Sequence, residues 1–152
     1  LFKEFYFIIK TKFILKNFIG FGLAFLYFLI TLWLLTLPGS AIPHVEWFDT
    51  LQVDKWVHIS LFFGLCYLFM LPIFQSSESI SGKIKTFVII TILAIVYGIS
   101  IEFIQRDYIP KRSFDMWDIV ADIIGSVLAF IWFKRKVTKK IGPSGNQDRN
   151  QN

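Results

Sequence analysis

Residues 18–37 read FIGFGLAFLYFLITLWLLTL, twenty consecutive positions without a charged side chain. As an α-helix rising 1.5 Å per residue, such a stretch reaches about 30 Å, the thickness of the hydrocarbon core of a bilayer. A cleaved signal peptide has similar flanks, here Lys3, Lys10, Lys12 and Lys16 before and Gly39-Ser40-Ala41 after. Its apolar region is usually only about 7 to 15 residues, so the length favours a retained span.

Three more stretches of the same kind follow. Residues 56–74 carry only His58, residues 86–105 carry only Glu102 near their end, and residues 116–133 carry Asp118 and Asp122 in their first two turns. Breakers separate them: Pro38-Gly39 and Pro43, then QSSESISGK (75–83), then DYIPKRS (107–113). The whole chain is 55% hydrophobic with 18 Phe, and its mean hydropathy is +0.57, far from a soluble domain of this size. The expected fold is all-α: a polytopic, four-transmembrane-helix bundle (about 18–37, 56–74, 86–105 and 116–133). A basic segment, 1–17, precedes it, and a basic tail, 134–152, ends in GPSGNQDRNQN, which has no apolar residue to bury and is expected to be disordered. The first residue is Leu1 rather than Met, which leaves the native N-terminus open.

A net charge of +5 raises the question of nucleic acid, but the basic residues lie outside the apolar runs and are not interleaved with aromatics, so none is expected as a partner. Cys66 is the single cysteine, which excludes an intrachain disulfide.

Lysine and arginine set orientation. Twelve of the sixteen fall in the N-terminal segment, the 75–85 connection and the tail; Lys55, Arg106, Lys111 and Arg112 fall in the other two connections. Four spans with both termini cytoplasmic satisfy every count. Eight of the eleven acids, Glu46, Asp49, Asp54, Glu102, Asp107, Asp115, Asp118 and Asp122, then belong to the outer half.

These acids are patterned. Asp54 and His58 are four apart, near Gly64; Gly98, Glu102, Gln105 and Arg106 follow i, i+4, i+7, i+8; Asp115, Asp118, Asp122 and Gly125 follow i, i+3, i+7, i+10. Each set lines one helix face. His58, Glu102 and Asp122 each lie about 6 Å inward of a charged neighbour one turn away. A carboxylate facing lipid costs about 2.5–3.5 kcal/mol or more, so the three stripes are expected to converge on one outward-opening pocket, with the glycines permitting close helix approach. The alternative is purely structural: buried acids as polar glue between helices. Asp54 and Asp115 also suit helix N-termini, as caps or by favouring the dipole, and Trp47, Trp56 and Trp117 suit interfacial anchoring. His44 is assigned no role.

With DKWVHISLFFGL (54–65), GISIEFIQ (98–105) and RSFDMWDIVADIIGSVLA (112–129), the chain resembles the VanZ-like family of small bacterial integral membrane proteins. The family pattern falls on Asp54, Lys55 and His58, on Gly98, Glu102 and Gln105, and on Arg112, Asp115 and Asp118; at Asp122 the family commonly has Asn, so this chain carries an extra acid there. The resemblance covers about residues 18–133. It implies an inner (cytoplasmic) bacterial membrane and an association with resistance to the glycopeptide teicoplanin, without an established chemistry.

Three functions compete. The first is binding or modification of a lipid or lipid-linked cell-envelope precursor, with Lys55, Arg106 and Arg112 on phosphate, Asp54, Gln105, Asp115, Asp118 and Asp122 completing the ligand site, and His58 or Glu102 as general base. The second is a non-enzymatic membrane resistance factor; no Gly-x-Ser-x-Gly or comparable nucleophile motif is present. The third is ion- or proton-coupled transport, which the one-sided distribution of acids disfavours. Oxygen ligands suit a divalent cation, but no spaced metal motif occurs, and the sequence assigns no metal or other cofactor. A bundle this small is also a candidate for homo-oligomerisation.

Overall fold

In the computed structural model, residues 2–41 and 52–139 are described, with side chains for 18–40 and 52–139. Four helices follow in order: α1 (Phe2–Leu35), α2 (Val53–Gln75), α3 (Ile80–Tyr108) and α4 (Met116–Lys139), with a 3-10 turn (Gly39–Ala41) after α1. All four are long and apolar enough to cross a membrane, and no strand occurs among the described residues. The expected all-helical, multi-pass architecture is therefore present.

Local chemistry sets the helix ends. α1 stops ahead of Pro38, which cannot continue a helix. α3 starts at Ile80, earlier than expected, because Ser79 Oγ accepts the Gly82 N–H at 3.1 Å as an N-cap. α4 is capped by Asp115, whose Oδ1 accepts from Trp117 N–H at 2.8 Å, whereas the residue at the α2 N-cap position is Gln52, which caps with no side chain, and Asp54 lies inside the first turn.

Two helix bounds differ from those read in the sequence. The helix of the basic N-terminal segment runs on from the first span, so α1 is a 34-residue element. The basic tail does not begin as a disordered segment at 134: α4 continues to Lys139. Val137 is buried, and Lys134 and Lys136 lie over the rings of Phe130 and Trp132, so this last turn has contacts the composition concealed. Residues 42–51 and 140–152, including His44, Glu46, Trp47 and Asp49, lie outside the described residues.

The most extensive interface joins α2 and α4; α3 packs on both, and α1 packs mainly on α2. Of its apolar window α4 buries 44% and α1 only 17%, which makes α4 the central helix and α1 the peripheral one. Helix association in lipid relies on van der Waals contact and interhelical hydrogen bonds rather than on expelling water, and small residues allow the approach. A Cβ on Gly125 would collide with the Ile59 carbonyl and lie 3.0 Å from Phe63 N on α2. One on Gly20 would lie 2.9 Å from Pro72 Cγ. At the end where α2 closes and α3 opens, Phe133 is an aromatic hub, its ring 5.1 Å from Tyr67 and 5.5 Å from both Phe74 and Phe87. The opposite end of the bundle is polar.

Candidate functional site

The polar end gathers the first turns of α2 and α4 and the last turns of α3. From the α2 start, Lys55 Nζ donates to Asp115 Oδ2 and to Asp118 Oδ1 at 2.5 Å each, and to its neighbour Asp54 Oδ2 at 2.9 Å. One turn deeper, His58 Nδ1 lies 2.9 Å from Asp122 Oδ1, and His58 Nε2 lies 3.7 Å from Asp118 Oδ2. From α3, Glu102 Oε2 accepts the Asp115 backbone N–H at 2.9 Å. Three carboxylates thus bind the Lys55 ammonium, and two more, Asp122 and Glu102, lie deeper with His58.

Burial is deep for groups of this kind. Glu102 is 0% exposed, Asp122 1%, His58 4% and Asp118 6%, and ionisable side chains are buried this far only when they are paired or used. Two of the carboxylate oxygens have no hydrogen-bond partner, Glu102 Oε1 and Asp122 Oδ2. Asp122 Oδ2 rests against the bare backbone of Gly98, where a Cβ would come within 2.5 Å of it. At the rim, just ahead of α4, burial opposes ionisation of Asp115, but hydrogen bonds from Lys55 and from the Trp117 N–H hold its carboxyl below the usual range.

Most of the expected site residues meet here: Asp54 at the exposed rim, Lys55 at the centre, and His58, Glu102, Asp115, Asp118 and Asp122 around it. Two do not. Gln105 is buried on the same stripe, but its Nε2 donates to the Leu35 carbonyl at the end of α1 at 2.7 Å, a bond that docks α1 on α3. Arg106 is on the surface, paired with the adjacent Asp107 at 2.6 Å and lying over the Phe103 ring. Arg112 is half-buried in the α3–α4 turn, three residues before Asp115, with its Nε buried and unpartnered. Trp56 and Trp117, at the rim, are 65% and 69% exposed, as suits interfacial anchors.

One participant had no side-chain signal in the sequence. The Asp115 main-chain N–H, which holds Glu102, is available because it precedes the first turn of α4 and has no helical acceptor. The turn carrying it is braced by the 3-10 turn after α1: Gly39 N–H donates to the Pro110 carbonyl at 3.2 Å, and a Cβ on Gly39 would strike the Lys111 carbonyl. Lys111 itself adopts a left-handed backbone, φ 58°.

Between this end and the other, residues 59–75, 86–101 and 123–133 contain no Asp, Glu, Lys, Arg or His. The arrangement can therefore hold protons, cations or a polar headgroup locally, and offers no charged relay along the helices. Beside it, Phe28, Leu65, Cys66, Phe69, Ala94 and Tyr97 line an apolar crevice of about 180 Å³ between α1, α2 and α3. No protein-family model, curated protein or solved structure matches this chain, so its own residues carry the reading of the site.

Proposed function

We propose that this chain is a VanZ-like integral membrane protein of the bacterial inner membrane, with both termini cytoplasmic and the polar end near the outer face. There it binds the headgroup of a lipid or lipid-linked cell-envelope precursor, and through that binding affects glycopeptide susceptibility. The observation that carries this reading is the surplus of acceptor oxygens in the cluster, which can take hydroxyl or amine donors of a headgroup. Polar glue between helices satisfies its own hydrogen bonds, whereas here Glu102 Oε1 and Asp122 Oδ2 are buried and unpartnered, and the five carboxylates outnumber the ammonium. Lys55 is saturated by carboxylates, which leaves Arg112 as the side chain for a headgroup phosphate. The apolar crevice has the lining to take a segment of hydrocarbon tail. His58 and Glu102 are the groups suited to general-base work if the bound precursor is modified.

The test is expression in a susceptible bacterium of the wild type, His58→Ala and Glu102→Gln, with envelope lipids quantified by mass spectrometry and teicoplanin sensitivity measured. The expected result is a shift in both with the wild type and its loss in both variants. Unchanged profiles in folded, membrane-inserted variants would overturn the reading. They would favour the structural alternative, which has its own support: Lys55–Asp118 and His58–Asp122 both stitch α2 to α4.

A further inference from the structure

We propose that His58, Glu102 and Asp118 form a divalent-metal site of the zinc class, one imidazole nitrogen and two carboxylate oxygens contributed by three different helices. One ligating atom from each of the three lies within 4.8 Å of the others, and all three residues are buried. The inference does not depend on the headgroup reading, and with the metal bound His58 and Glu102 act as its ligands instead of as general bases.

Each of the three side chains has one polar atom anchored by the protein and another left over. His58 Nδ1 is tied to Asp122 Oδ1. A carboxylate on one imidazole nitrogen fixes the tautomer and ring angle, and presents the other nitrogen's lone pair to a metal. Asp118 Oδ1 is held by Lys55 Nζ, and its Oδ2 faces His58 Nε2. Glu102 Oε2 is held by the Asp115 N–H, and its Oε1 is buried with no partner. A buried acceptor left in that state is costly unless something binds it.

The separations fit an ion better than a direct bond. His58 Nε2 and Asp118 Oδ2 are 3.7 Å apart, beyond an ordinary hydrogen bond. Two ligands at about 2.0–2.2 Å from one tetrahedral zinc stand roughly 3.3–3.6 Å apart. For this pair only a small side-chain adjustment separates the two arrangements, and Glu102, whose ligating atom lies within 4.8 Å of both, closes on them to complete the set. The charge also fits, because five carboxylates against Lys55 leave an excess that a dication offsets. The neighbouring trio of Asp54, Asp115 and Asp118 is a different case, since the Lys55 ammonium already lies among all three.

The ligand set selects the metal. An imidazole nitrogen with two carboxylates suits Zn²⁺ and its first-row neighbours and is unlike the all-oxygen shells of Ca²⁺ and Mg²⁺. Three protein ligands leave a fourth position for water or a substrate oxygen, which is the composition of catalytic rather than structural zinc sites. The sequence shows no metal motif because the three ligands lie on three helices, 44 and 16 residues apart.

The experiment uses the full chain in detergent micelles, stripped with chelator and then titrated with Zn²⁺ alone. One equivalent per chain by elemental analysis is expected, together with a rise in Tm. His58→Gln, Glu102→Gln and Asp118→Asn should each weaken zinc binding at least about 100-fold, and Asp122→Asn by about 10- to 100-fold. Asp107→Asn, on the surface, should bind as the wild type does. Wild-type protein loaded with Co²⁺ supplies a readout that needs no variant to fold: a visible d–d band and X-ray absorption from mixed nitrogen and oxygen ligands at about 2.0–2.1 Å. Absence of stoichiometric zinc, or zinc binding that survives His58→Gln and Glu102→Gln in folded protein, overturns the proposal. Zinc binding without any change in envelope lipids sustains the metal site while removing the headgroup reading, and the reverse result does the opposite.

Discussion

His58 Nδ1 and Asp122 Oδ1, on α2 and α4, lie 2.9 Å apart in the most deeply buried part of the polar end. The pair sits one turn below the Lys55 ion pairs and sets the direction of His58 Nε2, so it belongs to the bundle's stability and to the proposed metal site at once.

Truncating Asp122 should separate those two contributions. Asp122→Ala leaves Nδ1 of a buried imidazole unpartnered and should cost about 1–3 kcal/mol, read as a lower Tm in detergent. Asp122→Asn retains a group able to pair with Nδ1 and should lose far less. A double-mutant cycle with His58→Ala should return a coupling of about 0.5–3 kcal/mol. A coupling near zero would show that the two side chains do not interact.

Three glycine-to-alanine substitutions should rank by what the new methyl meets. Gly22 has nothing within 4 Å, so Gly22→Ala should leave Tm unchanged or raise it. At Gly98 the obstacle is the Asp122 side chain, 2.5 Å from the added Cβ, and its displacement should cost about 1–3 kcal/mol. At Gly125 the obstacle is the backbone of Ile59 and Phe63, which cannot rotate away, so α2 and α4 must separate and the loss should be the largest. Thermal unfolding of the three variants checks the order; a Gly125→Ala protein as stable as Gly22→Ala would contradict the observed helix approach.

The spans were legible because a charge-free run such as 18–37 has one stable way to satisfy its backbone in lipid, as helix. The meeting of His58, Glu102, Asp118 and Asp122 was legible for a related reason, since helical spacing puts each set on one face and lipid penalises any other direction. Neighbour choice was not legible. Gln105 and Arg106 both fit the α3 stripe, and only the position of the α1 end decides that Gln105 turns inward while Arg106 stays with Asp107. Lys55 reads as a phosphate ligand in one dimension and is occupied by carboxylates in three, because its partners arrive from residues 115 and 118. The helical turn past Lys134 was hidden because its lysine ammonium groups lie over the rings of Phe130 and Trp132, contacts which composition does not record.

The Lys55–Asp115 pair should give the fold a pH dependence confined to acid. Asp115 is held below the usual carboxylate range in the folded protein, so between the folded and unfolded values the unfolded chain binds more protons, and stability rises with pH there. Its contribution is fully present above the unfolded value of about 3.9 and is lost as pH falls through the folded one. The Tm difference between the wild type and Asp115→Asn should therefore be flat near neutrality and shrink below about pH 4. The carboxylate is 38% exposed, so solvent screening keeps the effect modest. A difference that grows on acidification would reverse the assignment.

Adjacent residues at the end of α3 should respond in opposite ways. Gln105 is 1% exposed and its amide satisfies the Leu35 carbonyl, one of the last acceptors of α1. Gln105→Ala removes that bond and about half the side chain's packing, so a loss of about 1–3 kcal/mol is expected. The α1 end should also loosen, read as faster cleavage by an added protease near Pro38-Gly39. Arg106 pairs with its neighbour Asp107 and lies over the Phe103 ring of its own helix, on the surface, and Arg106→Ala should leave Tm essentially unchanged with no gain in cleavage. Equal effects at the two positions would mean that α1 is not fastened to α3 through Gln105.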